Sequence, residues 1–166
     1  MLGRGGVDRE RLLEAFTRAG AESPRSHLST GNVTFDAADG AIAGIVESVE
    51  AELNEMAGTP KHLFVRSADE LRAIAADAPF ASWPAAADAH ELAVIFLRSA
   101  AALPFALPHT SERRDTTYIS RRDSEIFIGT HLIGGRPSQP GAWLERRLRA
   151  PVTIRNWNTV ERVLRQ

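Results

Sequence analysis

Residues 91–97, Glu91-Leu92-Ala93-Val94-Ile95-Phe96-Leu97, form a nearly continuous apolar run. A strand packed on one face alternates apolar and polar side chains, whereas a strand apolar at successive positions suits burial on both faces. The run therefore predicts a central strand deep in a core. Beyond it, residues 100–110 hold Pro104 and Pro108 and read as loop. Residues 116–120 and 125–128 then predict a hairpin turning across Arg121-Arg122-Asp123-Ser124. After a loop over 129–141, the pattern predicts a helix over 143–149, a last strand over 152–154 and a terminal helix over 159–166.

On the other side of the run, residues 78–89 are rich in alanine and contain Pro79, Trp83 and Pro84, which marks a loop and the expected boundary between two lobes. Upstream, Ser67-Ala68-Asp69-Glu70 has the spacing of a capping box, in which Ser67 and Glu70 satisfy each other's backbone donors. That predicts a helix with Leu71, Ile74 and Ala75 facing inward. Residues 61–66 read as a strand, and Gly58-Thr59-Pro60 ends a helix over 41–57 whose apolar face is Ile42, Ile45, Val46, Val49, Leu53 and Met56. Its glutamates, Glu47, Glu50, Glu52 and Glu55, form a solvated face. Thr30-Gly31-Asn32 has the composition of a tight turn between short strands at 26–29 and 33–35. Asp8 caps a first helix carrying Leu12, Leu13, Phe16 and Ala19, stopped by Gly20, and residues 3–6 form a turn-prone start. Helices alternating with paired strands predict an α+β chain of two small lobes, residues 1–80 and 90–166, with helices layered on mostly antiparallel sheet. A doubly wound nucleotide fold is disfavoured.

Of 166 residues, 43% are hydrophobic and 25% charged, ordinary values for a soluble globular protein, and no apolar run approaches the ~20 residues of a membrane span. No segment of signal-peptide type follows Met1. The expectation is a cytoplasmic protein without membrane attachment. With Cys 0, disulfides, thiolate catalysis and cysteine-ligated zinc are excluded. The net charge of -1 hides an asymmetry: residues 1–96 carry 8 Lys+Arg against 15 Asp+Glu, and residues 97–166 carry 12 against 6, a net of +6. A basic C-terminal part suits an anionic partner. Lys61 is the sole lysine among 20 basic residues, a bias that GC-rich coding explains without any phosphate.

The histidines, His27, His62, His90, His109 and His131, are scattered without metal-ligand spacing, and no phosphate-loop or nucleophile motif is present. Neither metal nor cofactor is expected. Gly134-Gly135-Arg136 is a turn that has the makings of an anion nest. The most distinctive stretch is Arg155-Asn156-Trp157-Asn158-Thr159-Val160. Asn158 with Glu161 has N-cap spacing, and Trp157 at a strand-to-helix corner suits a packing plug. Arg155 and Asn156 are then left without a local structural job.

Thr30-Gly31-Asn32-Val33-Thr34-Phe35, Ser67-Ala68-Asp69-Glu70-Leu71 followed by Pro79-Phe80, and Arg155 to Val160 resemble, in order and approximate spacing, the bacterial family called domain of unknown function 1697. The resemblance implies two α+β lobes, the first ferredoxin-like, with no established activity, substrate or cofactor. Members of the family begin with a strand and a loop of the type Leu-Arg-Gly-Ile-Asn-Val-Gly-Gly, to which only Gly5-Gly6-Val7 corresponds here, so the first strand is expected to be missing. In a ferredoxin-like sheet that strand is internal, and its loss leaves backbone groups of both neighbours unpaired. A start codon assigned too far downstream, another segment, or a strand donated by a partner chain would account for it. The family's aromatic and glutamine positions in the hairpin appear here as His27 and Ser29.

No specific biochemical function follows, and whether the chain is an enzyme stays undecided. The best expectation is a binding module for an anionic ligand such as nucleic acid or a nucleotide, using Arg155, Asn156 and Trp157 with support from Arg121, Arg122 and Arg136. One alternative is a small-molecule enzyme with Asn32, Arg155 and Asn156 polarising a substrate between the lobes. The other is a purely structural role for residues 155–160.

Overall fold

The computed structural model describes residues 7–28, 31–38 and 40–165. Its contacts divide the chain into two units, Met1–Leu63 and Phe64–Gln166. The expected turn over residues 3–6 and the expected loss of a first strand concern residues 1–6, which lie outside the described residues, as do Ser29 and Thr30.

In the first unit, Asp8 accepts a 2.7 Å hydrogen bond from the Glu10 amide and starts α1, Arg9–Arg18. Leu12, Ala15 and Phe16 are its buried face. Strands β1, Glu22–His27, and β2, Asn32–Asp36, pair antiparallel with His27 opposite Asn32. Helix α2, Ile42–Ala57, buries Ile45, Val49 and Leu53, one turn apart in succession. Ile42, expected on that face, is 41% exposed. The helix stops at Gly58, whose φ of +61° is cheap for glycine, with its amide donating to the Asn54 carbonyl. These buried residues, joined by Val33, Phe35 and Leu63, make one core in which Phe16 and Phe35 stand 5.2 Å apart. The expected strand over residues 61–66 is not formed. Asn54 Oδ1 and Glu50 Oε1 of α2 accept from the Lys61 and Leu63 amides, so side chains rather than a neighbouring strand take up that backbone. Two paired strands are therefore what the described part of this unit holds, short of the full ferredoxin-like sheet.

The second unit begins within that segment, upstream of the alanine-rich stretch at which the sequence places the boundary. Phe80 and Trp83 of that stretch pack into the second unit's own core. Ser67 and Glu70 form the capping box of α3, Ala68–Ala76, as expected. Strands β3, Glu91–Leu97, β4, His109–Thr110, β5, Thr116–Arg122, β6, Glu125–Thr130, and β7, Val152–Asn156, make a sheet in the order β4-β5-β6-β3-β7, antiparallel throughout. Helices α4, Pro140–Leu148, and α5, Trp157–Leu164, complete the unit. The β5–β6 turn is Asp123-Ser124, with Asp123 at φ +47°.

β3 lies between β6 and β7, and its residues feed two cores in alternation. Val94 and Phe96 join Ile74, Phe80, Phe127, Trp157 and Val160 on one face; Ala93, Ile95 and Leu97 join Tyr118, Ile126, Ile128 and Leu144 on the other. That two-sided burial is why the run is apolar at every inner position. Gly129 on β6 has no side chain because the Trp83 ring lies directly against it: a Cβ there would overlap the indole.

Candidate functional site

The junction of β7 and α5 is where the sequence concentrates its unusual residues. Register pairs Arg155 with Val94 and Asn156 with Ala93. Since Val94 and Ala93 feed opposite cores, Arg155 and Asn156 sit on opposite faces of the sheet. Arg155 is half-buried, donates from Nη1 to Thr153 Oγ1 at 2.7 Å and to the Ile154 carbonyl at 2.8 Å, and burial lowers its pKa from the ordinary arginine value. Asn156 is the N-cap of α5: its Oδ1 accepts from the Asn158 amide at 2.9 Å, and its Nδ2 donates to Glu91 Oε1 at 3.2 Å. The expected cap, Asn158, is one residue inside the helix instead. The strand runs two residues further than its apolar pattern and the helix begins two residues earlier, which moves the cap from Asn158 to Asn156. Trp157 is buried, 5.4 Å from Phe80 and 6.2 Å from Phe127 between ring centroids, both edge to face. Asn32 belongs to the first unit, where it opens β2 and its Nδ2 donates to the His27 carbonyl at 3.4 Å.

The basic residues expected to support that stretch have other partners. Arg121 donates to the Ala101 and Asp123 carbonyls, and Arg122 pairs with Asp77. Arg136 is exposed and closes the Gly134-Gly135 turn through backbone bonds with Ile133. Among the described residues no cluster of three or more His, Asp and Glu is placed to hold a metal ion, and no helix is long and apolar enough to cross a membrane.

Two arrangements that the sequence reading missed stand out in the second unit. One is a buried ion pair between Arg66 and Glu125, whose side chains are 11% and 5% exposed. Arg66 also donates to the Leu97 carbonyl, Ser124 Oγ and the Val65 carbonyl, and lies over the Phe96 ring. Four of its five N–H donors are taken, so in a cavity of about 90 Å³ beside it the guanidinium is largely committed to protein partners.

The other is a ring stack beside α4. His109 lies on Phe105 with centroids 4.4 Å apart and planes at 22°, and on Trp143 at 6.3 Å and 20°. Phe105 and Tyr118 flank Trp143 at 5.6 and 5.4 Å. The Arg147 guanidinium covers the Trp143 ring at 4.3 Å. Phe105, His109 and Trp143 are half-buried and Arg147 is exposed. Below them the Tyr118 hydroxyl is buried, and desolvation, with Asp115 nearby, raises its pKa while Arg147 opposes the shift. Stacked rings with a guanidinium over one of them bring π-surface and positive charge together at one place.

The profile of the family described as protein of unknown function, domain of unknown function 1697, matches residues 2–127. The match takes in the hairpin and the α3 capping box, and the stretch from Arg155 to Val160 lies beyond it. No curated protein matches the chain. Among solved structures, a conserved bacterial protein from Streptococcus pneumoniae is similar to it with 18% identity and a TM-score of 0.58, over 98% of this chain and 90% of that one. That likeness speaks to the fold, which is α+β, and the chain belongs to the family of domain of unknown function 1697.

Proposed function

We propose that the second unit is a binding module for anionic ligands that carry planar rings, nucleotides or single-stranded nucleic acid, and that Phe105, His109, Trp143 and Arg147 are its contact surface. The observation that carries this reading is the half-buried ring stack with an exposed guanidinium over its indole. Its setting supports the reading too. Arg146 and Arg149 are exposed on the same helix and its C-cap, and the helix's acidic residue, Glu145, is turned to the Val152 amide at 3.0 Å. Residues 97–166 hold the chain's excess of arginine. The bacterial cytoplasm, where a chain with Cys 0 fits, is the compartment we assign.

The stretch Arg155 to Val160 has a structural role in this reading. Asn156 caps α5, Trp157 fills the core, and Arg155 donates within its own strand to Thr153 and the Ile154 carbonyl.

Fluorescence anisotropy of a labelled single-stranded oligonucleotide tests the proposal. Binding is expected at low ionic strength and should weaken steeply as salt rises, because phosphate contacts release counterions. No binding of oligonucleotide or mononucleotide at low salt overturns it.

A further inference from the structure

Trp143 and Arg147 stand one turn apart on α4, a spacing that brings side chains of a helix surface together. The guanidinium carbon lies 4.3 Å from the indole centroid, well inside the ~6 Å reach of a cation–π contact, so the cation occupies ring surface that a stacking ligand needs. Nothing else among the described residues ties Arg147 down by a hydrogen bond or ion pair. Glu145 holds the Val152 amide, and Asp115 takes the Ser111 hydroxyl and pairs with Arg113 at 3.6 Å. The cover is thus a long, exposed side chain held to the ring by one weak contact.

We propose that Arg147 is a movable cover that selects ligands carrying a ring and a phosphate together. The ligand's ring replaces the guanidinium on Trp143, and the guanidinium swings to the phosphate, where its fork matches the oxygens. A ring without phosphate displaces the cover and gains nothing for it; a phosphate without a ring gains no stacking. This inference rests on the ring-binding reading above and narrows its ligand class to nucleotides.

Calorimetric titration with adenosine, adenosine monophosphate and inorganic phosphate, on the full chain and on Arg147→Ala and Trp143→Ala, separates the two claims. Both substitutions are at solvent-accessible helix positions, and circular dichroism verifies that each variant is folded. The expected pattern is that the monophosphate binds the unaltered chain more tightly than adenosine or phosphate does. Arg147→Ala should raise adenosine affinity about two- to five-fold, the worth of an exposed cation–π contact, and lower monophosphate affinity about ten-fold, the worth of one charge-assisted contact less the cover cost that the substitution also removes. If neither nucleoside nor nucleotide binds the unaltered chain, or both bind a folded Trp143→Ala as well as the unaltered chain, the ring-binding reading itself falls, and the cover with it. If both bind through Trp143 but Arg147→Ala weakens or spares them alike, ring binding stands and the cover is overturned.

Discussion

Arg66 and Arg147 belong to the same unit, and each lies over an aromatic ring, at 5.4 Å from Phe96 and 4.3 Å from Trp143. Their surroundings make them different devices. Arg66 is nearly buried and its donors meet a carboxylate, a hydroxyl and two carbonyls, which ties the β5–β6 turn to the end of β3 and to the segment leading into α3. Arg147 is exposed, and its ring contact is the interaction that positions it. A cation–π contact therefore does not disclose a role. The acceptors do: where they take most of the guanidinium's donors it is a brace, and where solvent faces it, the cation is open to other partners.

The largest expected effect separates these two directly. Glu125→Ala leaves the Arg66 charge buried without its partner and should cost about 3–5 kcal/mol of stability in urea unfolding. Arg147→Ala should cost no more than about 1 kcal/mol, the worth of an exposed cation–π contact. Equal losses would erase the distinction. Next comes Gly129→Ala, on the face of the sheet that also carries Phe96, where the new methyl meets the Trp83 ring. About 1–3 kcal/mol of overpacking is expected; a neutral outcome would show that Trp83 yields easily.

Smaller still is the cap of α5. Asn156→Ala should lose about 1 kcal/mol and Asn158→Ala less than about 0.5 kcal/mol, an order that would reverse if Asn158 were the cap. The last concerns pH on the ring-stack side. Burial raises the Tyr118 pKa in the folded chain, so the neutral phenol is favoured by folding, and its contribution to stability is complete below the ordinary value of 10.0 and is lost as pH climbs above it. Tyr118 is the chain's one tyrosine, so phenolate absorbance reports it alone. Titration of the folded protein at the ordinary value would place that hydroxyl in water.

What could be read in the chain was what local chemistry decides. Asp8 and Ser67 mark helix starts because a cap needs only residues a few positions apart. The 91–97 run announces its two-sided burial because each of its inner residues meets a core. Residues 61–66 look equally strand-like, but α2 side chains take the Lys61 and Leu63 amides, a competition that no periodicity displays. Asn156 looks idle in the sequence because a shift of two residues at the β7–α5 border is what turns it into the cap. Arg66 and Glu125 are 59 positions apart, and Phe105, His109, Tyr118 and Trp143 come from a loop, two strands and a helix. Only the tertiary fold assembles them. The i,i+4 pair of Trp143 and Arg147 was the one visible trace of that surface.

The proposal puts a ligand at the ring stack, and its rival position is the β7–α5 junction. The measurement is calorimetric titration of one single-stranded oligonucleotide, at low and at moderate salt, into the unaltered chain and into folded Trp143→Ala and Asn156→Ala. The predicted result is an affinity loss of about ten-fold or more for Trp143→Ala, as removal of a stacking side chain brings, and unchanged affinity for Asn156→Ala. Loss of binding in Asn156→Ala with Trp143→Ala unaffected would contradict it and return the site to the junction.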